Sequence, residues 1–205
     1  SSSHVSFGSL SPSPLPGDWG NVVLNGGGNV INYLDYNDAT DGFTGANTYN
    51  TSFDGLNMVG TLSLSANGID FTSSNNFDIT NSSISVGGSY AVNLPSTSNS
   101  SVTHSTITGG YSTAAIMMES SSNTTIDSNV ISGSPYYGIG VYQSTNTSIN
   151  YNTIDADWYG IYANYNPNLV IDNNTITLHN VSKKNSERGI KINYCVAAIV
   201  NGNNI

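Results

Sequence analysis

The stretch Ile126-Asp-Ser-Asn-Val-Ile131, continued by Ser132-Gly-Ser-Pro-Tyr136 and Tyr137-Gly-Ile-Gly-Val141, decides how this chain folds. Its Ile139-x-Val141 alternation predicts a strand with one face inward. Ile126 and Ile131 stand five places apart and so have opposite strand parity. Both point inward only if the chain bends between them. Asparagine suits such a bend, because it tolerates left-handed backbone and its amide can bond neighbouring peptide groups.

The same block recurs along the whole chain. Apolar pairs at this spacing are Val5/Leu10, Ile31/Tyr36, Phe53/Met58, Ile79/Ile84, Val102/Ile107, Ile126/Ile131, Ile149/Ile154, Ile171/Ile176 and Val200/Ile205, repeating every 22 to 29 residues. Between them stand Asn129, Asn152, Asn174 and Asn203, with Ser82 and Ser105 in earlier copies. Upstream of the last seven pairs runs a second apolar series, Phe43, Ile69, Val92, Ile116, Ile139, Ile161 and Ile190, always preceded by glycine or alanine. A third series holds Asn50, Asn76, Asn99, Asn123, Asn146 and Asn168. A unit this short cannot bury a face alone, so the repeats must stack as coils, about 4.8 Å apart, with like amides bonding up the stack.

Composition agrees. The chain of 205 residues holds 32 Ser, 30 Asn, 19 Thr and 21 Gly, about half its length, all poor helix-interior residues. Yet 37% hydrophobic and 10% aromatic content is too much for a solvated tail. A net charge of −9 argues against nucleic acid and anionic membrane as partners, and no apolar run reaches the roughly 18 residues of a membrane span. The four cations, Lys183, Lys184, Arg188 and Lys191, share one window. A single cysteine, Cys195, allows no internal disulfide and reads as a small buried side chain.

The quoted motifs resemble right-handed parallel β-helix repeats of the pectin-lyase-like superfamily. Pro16-Gly-Asp-Trp-Gly-Asn-Val-Val-Leu24 is similar to an opening coil of large exported β-helix proteins of bacteria and archaea. The resemblance spans nearly the whole chain. It implies an all-β, right-handed parallel β-helix of about nine coils, one domain over residues 1–205. The expected context is extracellular or cell-surface, as an internal portion of a longer protein or a subunit stacking end to end on copies of itself. The fold carries lyases, hydrolases, epimerases, tailspikes, adhesins and passive stalks, so function must be read from sites.

Eight of the 20 aromatic residues fall between Tyr136 and Tyr165. Tyr136, Tyr137, Tyr142, Trp158, Tyr159 and Tyr162 form the candidate glycan-binding set, because outward rings beside Asn and Asp suit sugar faces. Rings filling a contact with a neighbouring chain are the competing explanation. Catalysis needs converging carboxylates. The candidates are Asp155 and Asp157 near the variable loops, and Asp127 and Asp172 two coils apart; Asp70 and Glu119 are also two coils apart. Asp35, Asp38 and Asp41 form the cluster that would take calcium, the only cofactor considered; His4, His104 and His179 share no ladder. Longer connections at Ser11–Asn21, Val59–Asn67 and Thr177–Arg188 are expected on one edge of the solenoid. Seven N-glycosylation sequons begin at Asn50, Asn81, Asn99, Asn123, Asn146, Asn173 and Asn180, with Asn180 the most open acceptor. The leading expectation is a non-enzymatic structural or adhesive solenoid that contacts glycans. The alternative is a polysaccharide lyase or glycoside hydrolase acting from the variable-loop edge. An ice-binding face would need flatter Thr rows than Thr124, Thr125 and Thr147 supply.

Overall fold

The computed structural model describes residues 5–8, 10, 12–13, 20–37, 39–61, 67–110, 112–134, 136–179 and 188–205. The chain winds as a right-handed parallel β-solenoid. Each turn contributes one short strand to each of three eight-stranded parallel sheets. The first sheet runs from Val5–Phe7 to Thr175–Leu178, the second from Val22–Leu24 to Arg188–Asn193, and the third from Val30–Asn32 to Ile199–Asn201. Like residues lie in register up each stack. Ile107, Ile131, Ile154 and Ile176 align in the first sheet, Ile116, Ile139, Ile161 and Ile190 in the second, and Ile126, Ile149, Ile171 and Val200 in the third.

Two expectations are corrected here. The apolar pairs imply nine coils, whereas each sheet holds eight strands among the described residues. Val5 and Leu10 are not a copy of the pair: Val5 aligns with Leu34 and Phe7 with Tyr36, so this strand belongs to the first sheet, and Leu10 is fully exposed. The left-handed backbone at the corner also falls one residue earlier than expected. Ser128, Tyr151, Asn173 and Gly202 carry positive φ, not Asn129, Asn152, Asn174 and Asn203. The turn is made first, and the next residue can then aim its amide inward.

That inward amide does the structural work. Asn152 Oδ1 accepts from both the backbone N and Nδ2 of Asn129, each at 3.0 Å. Its own Nδ2 donates to Ile126 O at 3.0 Å, Asn150 O at 2.9 Å and Asn174 Oδ1 at 3.0 Å. Asn174 repeats the pattern on Asn203, and Ser105 feeds into Asn129. A buried polar group left unpaired costs about 1–3 kcal/mol, so every corner peptide in the stack depends on the coil above. A second ladder of this kind stands at the corner between the second and third sheets. There Thr97 N meets Ser121 Oγ, Ser121 N meets Ser144 Oγ, Ser144 N meets Asn166 Oδ1, and Asn166 N meets Cys195 Sγ.

The interior is aromatic in the early coils and aliphatic later. Tyr36, Phe43, Phe53, Phe71 and Phe77 interlock with centroids 4.5–6.0 Å apart. Beyond them the core is filled by Ile, Val, Leu, Met and Ala, nearly all inaccessible. The small residue just before the first inward apolar side chain of the second-sheet strands is dictated by space. A Cβ on Gly138 or Gly160 would run into Ile154 or Ile176, and would lie 2.7 or 2.8 Å from a peptide oxygen of the next coil.

Candidate functional site

With the inward face committed to packing, chemistry belongs to the outer faces. On the second sheet, Ile139 and Val141 point in, so Gly140 and Tyr142 face out. In adjacent coils the outward rows read Thr44, Asp70, Asn93, Met117, Gly140, Tyr162, Lys191 and, beside them, Pro95, Glu119, Tyr142, Asn164, Asn193. Neighbours in a row are separated by one strand spacing, about 4.8 Å.

These rows bring the six aromatic candidates together. Tyr137 and Tyr162 stack at 5.0 Å, Tyr142 and Tyr162 approach to 5.1 Å, and Tyr137 and Tyr159 to 5.6 Å. Tyr136 and Trp158 extend the cluster at 5.1 Å, with Tyr136 41% exposed. Gly140 makes room for this: a Cβ there would lie 2.8 Å from Met117 Cε and 3.6 Å from the Tyr137 ring. Lys191 Nζ sits 5.1 Å from the Tyr159 ring centre and 5.2 Å from that of Tyr162, a cation–π contact at the edge of the cluster. Asn193 Nδ2 donates to the Tyr162 hydroxyl at 3.2 Å. Burial, the hydrogen bond to Tyr137 and the nearby Tyr137, Tyr162 and Tyr90 phenols hold the Tyr142 hydroxyl protonated well above the ordinary tyrosine range.

Beside the cluster the same face is hollow. One depression of about 370 Å³ is lined by Tyr90, Asn93, Pro95, Met117, Glu119 and Tyr142. A second, of about 480 Å³, includes Thr44, Asp70, Thr72 and again Asn93 and Pro95. Their shared residues make one open groove along the sheet, ending at the tyrosines. Asp70 is held rigidly in it, with Asn67 Nδ2 donating to one carboxylate oxygen at 2.7 Å and Asn93 Nδ2 to the other at 3.0 Å. The sequence placed Asp70 and Glu119 two coils apart but gave no sign of the groove, because Met117 and Asn93 reveal their place only across coils.

The remaining candidates lie elsewhere. Asp127 and Asp172 share an outward row of the third sheet with Asn150 between them. Each is engaged locally, Asp127 by Ser128 Oγ and Asp172 by Asn173 Nδ2, both at 2.8 Å. Asp155 lies on the first sheet, where His179 Nε2 approaches its Oδ1 to 2.9 Å, both side chains about half exposed. Asp157 falls in the following bend, half-buried. Asp35 accepts from Asn57 Nδ2 at 2.8 Å, while Asp38 lies outside the described residues. No group of three His, Cys, Asp or Glu side chains converges among the described residues.

The third sheet carries an exposed amide ladder. Asn76 donates to Asn50, Asn123 to Asn99, Asn146 to Asn123 and Asn168 to Asn146, all at 2.9–3.0 Å. All six asparagines of this series have positive φ. At the sequons of Asn99, Asn123, Asn146, Asn81 and Asn173, the Nδ2 that would carry a glycan is already a donor. Asn50 takes part only through its Oδ1. Asn180 lies outside the described residues.

The comparisons agree with this architecture. The family described as "Right handed beta helix region" matches residues 41–205. No curated protein matches the chain. Among solved structures it is similar to tailspike protein 2 of Escherichia coli O157:H7 bacteriophage CAB120, with TM-score 0.57, 16% identity, and coverage of 86% of this chain and 31% of that one. It is also similar to the A-module of the Azotobacter vinelandii mannuronan C-5 epimerase AlgE4, with TM-score 0.56, 15% identity, and coverage of 86% and 62%. The chain thus spans about a third of the first protein and under two thirds of the second, and at these identities the likeness is one of fold.

Proposed function

Because this chain belongs to the right-handed β-helix family, and so presents its residues in rows along continuous outer faces, we propose that it binds a glycan chain along the second sheet. One observation carries this reading: six aromatic side chains from two adjacent coils meet at the end of an open groove lined by amides and carboxylates. Aromatic faces take the apolar faces of sugars, and the flanking Asn, Asp and Glu supply hydrogen bonds that fix orientation. The solved neighbours, a phage tailspike and a mannuronan epimerase, support a polysaccharide as ligand.

We read the contact as adhesive, in an extracellular or surface-displayed solenoid. The groove supports this because its carboxylates Asp70 and Glu119 stand two coils apart, about 9–10 Å along the stack, and in different outward rows, with Asn93 and Pro95 on the coil between them. A second reading, as a polysaccharide-cleaving enzyme, is favoured by the His179–Asp155 pair, which could move a proton. Incubation with immobilised and soluble polysaccharides separates the two. Retention without new chain ends supports adhesion. Cleavage lost on Asp155→Asn would establish the enzyme.

A further inference from the structure

Resting on the glycan-binding reading, the charge layout of the groove adds a substrate class. We propose that the groove accepts uncharged glycans and rejects polyuronates, and that Asp70 and Glu119 set this preference. Among the described residues, each of the two depressions is lined by one of these carboxylates and by no cation. Among the described residues no salt bridge reaches either side chain. Asp70 cannot turn away from a ligand, because Asn67 and Asn93 hold both of its oxygens. Asn93 and Pro95 line both depressions, so a chain lying along the groove passes one carboxylate and then the other.

The described cations of this face, Arg188 and Lys191, are placed where they cannot compensate. Arg188 and Lys191 belong to the strand Arg188–Asn193, three strands beyond the one bearing Glu119. That is about 14 Å along the sheet, more than the Debye length of about 10 Å at 0.1 M salt. Lys191 is further occupied over Tyr159 and Tyr162. The whole chain carries −9, which adds a repulsive background for an anionic polymer. A polyuronate bears a carboxylate on every sugar, so at least two would face Asp70 and Glu119 at once. A uronate carboxylate held about 4 Å from either of these side chains weakens binding by roughly fivefold in a solvent-exposed site. The apolar floor of Met117, Pro95 and the tyrosine rings is unaffected by ligand charge.

A glycan array carrying neutral, N-acetylated and uronate oligomers, followed by calorimetric titration of the best neutral and best uronate chains, tests this. Native protein is expected to bind the neutral chain at least tenfold more tightly than the uronate. Asp70→Asn with Glu119→Gln should narrow that ratio to within about threefold, with uronate binding becoming tighter than in the native protein. Glu119→Gln alone, at an exposed position where folding is not at stake, should give part of the shift. Uronates among the tightest native ligands, or a ratio unmoved by these substitutions, would overturn the charge assignment while leaving glycan binding intact. Absence of any array hit would instead overturn glycan binding, and this assignment with it.

Discussion

Tyr137 and Tyr162 stack with ring centres 5.0 Å apart and planes 23° from parallel, although strand register pairs Tyr162 with Gly140 rather than with Tyr137. The stack exists because Gly140 contributes no side chain to its place in the outward row, and the rings close over the gap. A solenoid spends its inward face on packing and offers outward rows for recognition. Here one empty place in a row turns isolated tyrosines into a surface.

Filling that gap should disturb recognition more than stability. A Gly140→Leu side chain would press on the flexible Met117 end and the Tyr137 ring, displacing both. The expected result is at least tenfold weaker glycan binding with a melting temperature changed by only a few degrees, read by titration and calorimetry.

The two asparagine ladders should respond very differently to truncation. Asn152→Ala removes a buried amide with five hydrogen bonds and strands the corner peptide of Asn129. A loss of about 3–5 kcal/mol is expected in denaturant unfolding. Asn123→Ala, in the exposed ladder, should cost under about 1 kcal/mol because water replaces its partners.

Alkaline titration should find tyrosines that ionise only when the fold opens. Burial keeps the Tyr36 phenol, which donates to Asp41 O at 2.7 Å, protonated far above its ordinary range, and Tyr142 behaves likewise. In the unfolded chain both ionise near pH 10. Below that pH both states hold the proton and stability is unaffected. Above it only the unfolded chain releases the proton, so stability falls with rising pH, by up to about 1.4 kcal/mol per pH unit for the buried Tyr36 and by less for the partly exposed Tyr142. Phenolate absorbance should therefore develop in two stages, the second coincident with loss of circular dichroism.

Glycosylation in a competent host should favour Asn50 over the other described sequons, since its Nδ2 is not a ladder donor. Peptide mapping by mass spectrometry should find Asn50 modified and Asn99, Asn123 and Asn146 bare. Uniform occupancy of all four would show that the ladder does not protect them.

Much of the fold is written in the sequence because stacking places identical positions over one another. The Ile116–Ile139–Ile161–Ile190 row and the Asn129–Asn152–Asn174–Asn203 ladder stand out as repeated spacings. The first coil misled because Val5 and Leu10 have the right character and separation, while pairing with Leu34 and Tyr36 is decided by contacts across coils. The inward ladder of Thr97, Ser121 and Ser144 was invisible, since serine and threonine are so common here that a buried one gives no contrast. Strand parity foretold the outward tyrosines. The groove could not be foreseen, because it depends on how Met117 and Asn93 sit beside residues one coil away.

The central claim, that the tyrosine-ended groove of the second sheet binds a glycan, is tested most directly by titrating one array-identified oligosaccharide into native protein and into the Tyr137→Ala/Tyr162→Ala double variant. The account predicts saturable binding to the native chain and at least tenfold weaker binding to the variant, with both unfolding at nearly the same temperature. Equal affinity of the two proteins would contradict it.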